Sequence, residues 1–547
     1  MAALPLRRSS LLLELDLTQA PVTVERGDAL GRLAARGRPQ LAPILRTLHE
    51  AGNDRHVAGL IVKVGGGLPH ATAAELRLGL TAFSSSGKPT LAWAEDLGIG
   101  TGATAALTLG SAMDRIWLQP GGAVGPLGVA METTFVRRAL DRLGVQPQLA
   151  QRHEFKNAAN VLTRTGYTEA HREAVDRIVE SVFDDAVAAI AQGRGLAVEQ
   201  VRELVDAGPM SAMQALEAGL VDFLGYRDQA YDAIRERIGG PVELLLAERW
   251  QPRRRPPPVT GSARRHVAMV EVRGAIASGR SHSTPWGRVA GSDTVGAALR
   301  AAARSEHVGA VLMRVDSPGG SAVASEAIWR EVVRTRESGT PVVVSMGELA
   351  ASGGYYVACP ADVIVALPST LTGSIGVLGG KLVVADLLER IGVTTDRVRH
   401  GEHALMDSPR QPFTDAELRL IDEELDRIYA DFVGKVAAGR RMPGARVEAI
   451  ARGRVWTGAD ALRLGLVDEL GGMRRALRIA QGRGGLPESA RLLPALRVPT
   501  LRRLGQPRNS DDPRFSAPVG MPLLDAAVTA SGIRERVTAR TDLRLRE

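Results

Sequence analysis

GLIVKVGGG, Gly59 to Gly67, and GAVLMRVDSPGG, Gly309 to Gly320, decide the architecture. Each is a short run of branched and long apolar residues closed by glycines, which reads as a strand buried on both faces. Such strands belong to parallel sheets covered by helices, the α/β class. One copy falls in each half of the chain, and the likeness extends outward from both. LLELDL at Leu12 to Leu17 resembles VAMVEV at Val267 to Val272. Pro120 answers Pro368, Gly125 answers Gly373, and Leu127-Gly128-Val129 parallels Ile375-Gly376-Val377, all at an offset of 248. At an offset of 246, GLVDFLG from Gly219 matches GLVDELG from Gly465, and Thr168 matches Thr414, each before an amphipathic stretch. Glu417 after Thr414 completes a capping box. The chain is a tandem repeat.

The repeat sets the boundaries. Residues 1–250 form the first copy and 266–485 the second, joined by QPRRRPPPVTGSARR, Gln251 to Arg265, an extended solvated linker. Residues 486–547 lack sustained periodicity and read as a basic, loosely ordered tail. Composition agrees with a globular chain: 547 residues, 44% hydrophobic and 24% charged, exclude disordered, collagen-like and disulfide-scaffold classes. A single cysteine excludes an intrachain disulfide. The net charge of +8 is spread thinly, with few aromatics, which argues for a solvated arginine-rich surface and against nucleic-acid binding. Only five of the 69 basic residues are lysines: Lys63, Lys88, Lys156, Lys381 and Lys435. No apolar run reaches the ~20 residues of a spanning helix, and no signal peptide is visible. The expected setting is cytoplasmic, with peripheral contact at the inner face of the membrane left open.

Chemistry concentrates in the second copy. In VVVSMGELAASGGYYVA, Val342 to Ala358, a buried strand runs into a small-residue turn, so Ser352 stands at a strand-to-helix junction. It is either a nucleophile or a helix cap. RVDSPGG, Arg314 to Gly320, ends a strand in a turn that either aims backbone N–H groups at an oxyanion or is an ordinary tight turn. A serine nucleophile needs a proton acceptor. Of the histidines, only His400 and His403 follow Ser352, and no spacing pairs them with Glu402 or Asp407 in a triad. The repeat offers another base: 352 − 248 gives Thr104, and 156 + 248 gives Ala404. One copy keeps a serine at the nucleophile slot and the other keeps a lysine at the base slot, so a Ser-Lys site drawing one member from each copy competes with a chance surface lysine. Cys359 reads as a small core residue, and Tyr355 and Tyr356 either line the cleft or pack. No cluster with metal-ligand spacing appears, and GIGTGATA, Gly98 to Ala105, lacks the ending of a phosphate loop.

MGELAASGGYYVA, VDSPGG, TGSIGVLG (Thr372 to Gly379) and HEFKNAAN (His153 to Asn160) resemble the long, tandem-domain form of the signal peptide peptidase A (protease IV) family, over residues 10 to 485. The resemblance implies two crotonase-like, Clp-protease-like α/β domains and a serine endopeptidase without cofactor. It makes Ser352 the nucleophile, Lys156 the general base and Ser374 the hydroxyl that orients the amine. Gly320 and Gly353 become oxyanion donors, with Gly319 an adjacent candidate. It further implies a bowl-like homotetramer acting on unstructured peptides such as remnant signal peptides. The family's usual N-terminal anchor is not seen here. A crotonase-like acyl-CoA enzyme and a catalytically silent scaffold are the alternatives. A lysine base near neutral pH must lose ~3 units from an ordinary pKa of ~10.4, so Lys156 is expected buried at the domain interface within reach of Ser352. Val315, Val323, Leu349, Val377 and Leu378 are expected as apolar substrate walls.

Overall fold

A computed structural model describes residues 10–21, 39–98, 102–251, 265–284 and 287–496. The expected linker, apart from Gln251 and Arg265, and the tail beyond residue 496 lie outside the described residues. The chain divides into two compact units, one of residues 1–130, 180–262 and 367–369, the other of 131–179, 263–366 and 370–547.

In the first unit the strands β1 (Ser10–Leu17), β2 (Val57–Val64), β3 (Thr90–Ala94), β4 (Arg115–Leu118), β5 (Phe223–Leu224) and β6 (Val242–Leu246) form one parallel sheet. Its order is β5-β4-β3-β2-β1-β6. The apolar run Gly59 to Val64 lies in β2, with Leu60, Ile61 and Val62 all buried. The helix Leu41–Gly52 buries Leu41, Ile44, Leu48 and Ala51, the three-to-four spacing of a single apolar face.

The second unit repeats this plan with β7 (His266–Arg273), β8 (Val308–Ser317), β9 (Val342–Ala351), β10 (Val363–Ala366), β11 (Glu469–Leu470) and β12 (Leu492–Pro494). The order is β11-β10-β9-β8-β7-β12, again parallel, so each strand sits where its counterpart sits in the first sheet. Val311, Leu312, Met313 and Val315 of β8 are inaccessible, as are Val342 to Val344 of β9. Each such side chain contributes roughly 1.5–3 kcal/mol by leaving water. The helix Ala322–Glu337 turns Ile328 and Val332 onto this sheet and is capped by Ser321, whose hydroxyl accepts the Ala324 N–H. The expected capping box is present at the helix Asp415–Arg440, with Thr414 and Glu417 bonded reciprocally.

The second unit extends a branch that the first carries in shorter form, where Leu97 bridges Val124 and Ala123–Val124 pairs antiparallel with Met210–Ser211. The early part of β9 pairs with β10, but Leu349 to Ala351 pair with a separate strand, Leu371–Gly373, which pairs antiparallel with Val455–Thr457. A register shift between Val315 and Ser317 bends β8 where this branch leaves. Asp316 secures the bend, its carboxylate accepting the Leu349 N–H at 3.2 Å. Among the described residues no helix is long and apolar enough to cross a membrane.

Candidate active site

The branch explains why two serines meet. Ala351 and Gly373 are partners in parallel strands, so the next residues, Ser352 and Ser374, leave the sheet side by side. The Ser352 N–H donates to the Gly373 carbonyl at 2.9 Å. Both serines have left-handed backbones, φ 53° at Ser352 and 49° at Ser374, each a strain of roughly 1–3 kcal/mol that the surrounding register enforces. Ser352 directly precedes the helix Gly353–Ala358 and does not cap it through its side chain. Its hydroxyl stays available at the strand-to-helix turn.

A second pairing delivers the amine. The strand Gln146–Arg152 runs antiparallel to Val377–Val383, with Arg152 opposite Val377. The chain then doubles back through His153 to Phe155, and Lys156 arrives beside Ser374. Its Nζ lies 3.0 Å from Ser352 Oγ, 3.0 Å from Ser374 Oγ and 3.0 Å from the Ser374 carbonyl oxygen. The sequence counts Lys156 with the first repeat, yet residues 131–179 pack in the unit that holds Ser352, so amine and hydroxyl share one compact unit. Only 4% of Lys156 is exposed. No carboxylate pairs with it among the described residues, and burial alone lowers its pKa from 10.5 to about 7.

Hydrogen counting gives the arrangement a direction. A neutral amine has two N–H donors and one lone pair. The Ser374 carbonyl and Ser374 Oγ can take both donors, while Ser374 Oγ–H has the Gly453 carbonyl at 3.4 Å as its acceptor. The lone pair is then left for the Ser352 hydroxyl proton.

The glycine turn opposite is ordered by Ser317. Its buried Oγ donates to the Gly274 carbonyl at 2.6 Å and accepts the Gly319 N–H at 3.1 Å. Gly319 therefore has its donor committed. The N–H groups of Gly320 and Gly353 have no acceptor among the described residues. A Cβ on Gly353 would come 3.2 Å from the Gly320 nitrogen, which places the two groups close together. Gly320 has φ +150°, and a Cβ there would lie 2.1 Å from the Ile276 carbonyl, so only glycine brings that backbone so near.

The remaining candidates separate cleanly. His403 pairs with Glu417 at 3.6 Å and His400 is exposed; neither bonds to Ser352. Ala404 lies in an exposed turn. Thr104 is inside the helix Ala103–Gly110, its hydroxyl donating to the Gly128 carbonyl and accepting the Gly128 N–H, both at 2.8 Å. Tyr355 and Tyr356 pack, donating to the Leu466 carbonyl and to Asp431. Cys359 is buried and its thiol is pushed up to about 12 by desolvation. Of the expected apolar walls, Val315 is a correction: it is inaccessible within the sheet core and cannot touch a substrate. Val323 is exposed, and Leu349, Val377 and Leu378 are half-buried. Among the described residues no group of His, Cys, Asp and Glu could hold a metal ion. No motif points to the segment Arg452 to Arg454, which touches both Lys156 and Ser374, and Ser317, though inside RVDSPGG, has no role of its own in the reading of that turn.

Fold and site together define a serine hydrolase of α/β architecture. The family model for peptidase family S49 matches residues 82–239 and 334–485. The chain is 32% identical over 485 residues to Protease 4 of Salmonella typhi, covering 85% of this chain and 76% of that one. It is 28% identical over 476 residues to the chloroplastic serine protease SPPA of Arabidopsis thaliana, covering 85% and 67% respectively. The chain belongs to peptidase family S49 and is a serine peptidase of that family.

Proposed function

We propose that this protein is an endopeptidase in which Ser352 attacks the scissile carbonyl and Lys156 is the general base. The neutral amine takes the Ser352 Oγ proton as the Oγ–C bond forms. The N–H groups of Gly320 and Gly353 receive the developing oxyanion, each such donor being worth ~3 kcal/mol at the transition state. The ammonium then returns its proton to the leaving amine, and the acyl-serine ester remains. Water attacks the ester, Lys156 accepting its proton and passing it back to Ser352 Oγ. Ser374 orients the amine throughout.

The observation that carries this reading is the 3.0 Å approach of a buried Lys156 amine to Ser352 Oγ. Extended, unstructured peptides with small or apolar side chains suit the half-buried Leu349, Val377 and Leu378 beside the turn. Remnant signal peptides, the substrate implied by the family resemblance, fall in that class.

Labelling with a fluorophosphonate tests the assignment. Wild type should label, and both Ser352→Ala and Lys156→Ala should not. Undiminished labelling of Lys156→Ala would show that another group is the base.

A further inference from the structure

The Ser-Lys reading leaves open what holds the amine in place. A lysine side chain has four rotatable carbons and gives up ~2 kcal/mol of rotamer freedom when fixed. Lys156 also sits beyond the end of its strand, so the sheet does not position it. The segment between the helix Gly444–Ile450 and the strand Val455–Thr457 does. The Arg452 carbonyl accepts the N–H groups of His153 at 3.4 Å and Phe155 at 3.2 Å, the residues leading to the lysine. Gly453 donates its N–H to the Ile375 carbonyl at 2.7 Å, and the Arg454 carbonyl accepts the Ser374 N–H at 2.8 Å. Three consecutive residues thus grip both the lysine segment and the serine that orients it.

Two features make this grip specific. Arg452 and Gly453 are both left-handed, φ 52° and 85°, which alternates their peptide groups between the two segments. A Cβ on Gly453 would fall 2.5 Å from Lys156 N, 2.6 Å from its Cα and 2.6 Å from its Cβ, so the strap lies flush on the lysine backbone. The Arg452 guanidinium then clamps Glu154 in a two-pronged bond, 2.7 and 2.8 Å, two residues before the lysine. We propose that Arg452 and Gly453 are positioning residues of the peptidase, a strap that seats Lys156 against Ser352 and shuts water from its amine.

The inference rests on the Ser-Lys reading, and one experiment separates the two. The maximal rate and half-saturating concentration of fluorophosphonate labelling are measured from pH 5.5 to 10 for wild type, Gly453→Ala, Arg452→Gly and Lys156→Ala. A displaced, hydrated amine regains basicity. Gly453→Ala should lose at least about tenfold in maximal rate at pH 7, with half-saturation within about twofold of wild type. Its acidic limb should move up by about one unit or more, so that labelling recovers in alkaline buffer. Arg452→Gly keeps the left-handed backbone and removes only the clamp; it should show the same shift at about threefold. If Gly453→Ala does not fold, Arg452→Gly decides alone. A wild-type acidic limb and maximal rate in the folded variants overturns the strap, even if their thermal stability falls. Wild-type labelling of Lys156→Ala overturns the base assignment instead.

Discussion

Replacing Lys156 with methionine should make the protein inactive and, at neutral pH, more stable. The side chain keeps its length and apolar stem but loses the amine. That amine titrates at about 7 in the fold against 10.5 when exposed, a difference of 10.5 − 7, or about 3.5 units. At ~1.36 kcal/mol per unit, burying it costs about 5 kcal/mol below pH 7 and about 4 kcal/mol at pH 7. Methionine removes that cost but forfeits three hydrogen bonds, to Ser352 Oγ, Ser374 Oγ and the Ser374 carbonyl. At roughly 0.5–1 kcal/mol each, the net gain at pH 7 is about 2 kcal/mol. The folded pKa is depressed, so the unfolded chain binds the extra proton between pH 7 and 10.5, and wild-type stability rises with pH across that window. The advantage of the variant is therefore full below pH 7 and gone by pH 10.5, where the lost hydrogen bonds leave it the weaker protein. Urea midpoints of Lys156→Met and wild type at pH 6, 7, 8.5 and 10 measure the gap. A gap that does not change with pH, or that grows on the alkaline side, would refute the buried neutral amine.

Two further outcomes follow from groups beside the site. Ser317→Ala leaves the buried Gly319 N–H and Gly274 carbonyl without their shared partner, which should cost about 1–3 kcal/mol in urea denaturation and slow fluorophosphonate labelling. Unchanged labelling would mean that the turn holds Gly320 without help from Ser317. Cys359, buried with its thiol raised to about 12, should stay unreactive to an aromatic disulfide reagent at pH 8 until the protein is unfolded, and rapid reaction of the native protein would contradict that burial.

How far each group could be read beforehand depends on whether its role is local. Ser352 follows an apolar strand and precedes two glycines, so the sequence around it already describes a strand-to-helix turn. The parallel sheets were legible for the same reason: β2 and β8 are apolar runs with no polar face to place in water. Lys156 has no such local signature. It stood out through the repeat offset, the scarcity of lysines and the family resemblance, and its depth of burial comes from pairings with residues 196 or more positions away. Between Gly319 and Gly320 spacing could not choose, because the choice depends on a serine two residues upstream whose hydroxyl takes one donor and leaves the other. Arg452 and Gly453 were beyond reach: an arginine in left-handed conformation looks like any other arginine in the chain.

The same distinction explains how two sheets of one strand order differ in chemistry. Counting back from the helix C-caps Ser111 and Cys359, Thr104 and Ser352 are both seven residues away. In the second unit the helix starts at Gly353, so residue 352 remains outside it with φ 53° and a hydroxyl that meets Lys156 Nζ at 3.0 Å. In the first the helix starts at Ala103, two residues earlier by this count, and residue 104 is wound into it. Winding spends the hydroxyl locally: Thr104 Oγ1 closes on both backbone groups of Gly128. A helix extended by part of a turn thus converts a position fit for a nucleophile into one that secures its own unit. Reactivity at this point of the fold depends on where the helix begins and on the branch strand Leu371–Gly373, whose carbonyl holds the Ser352 N–H and keeps that residue out of the helix.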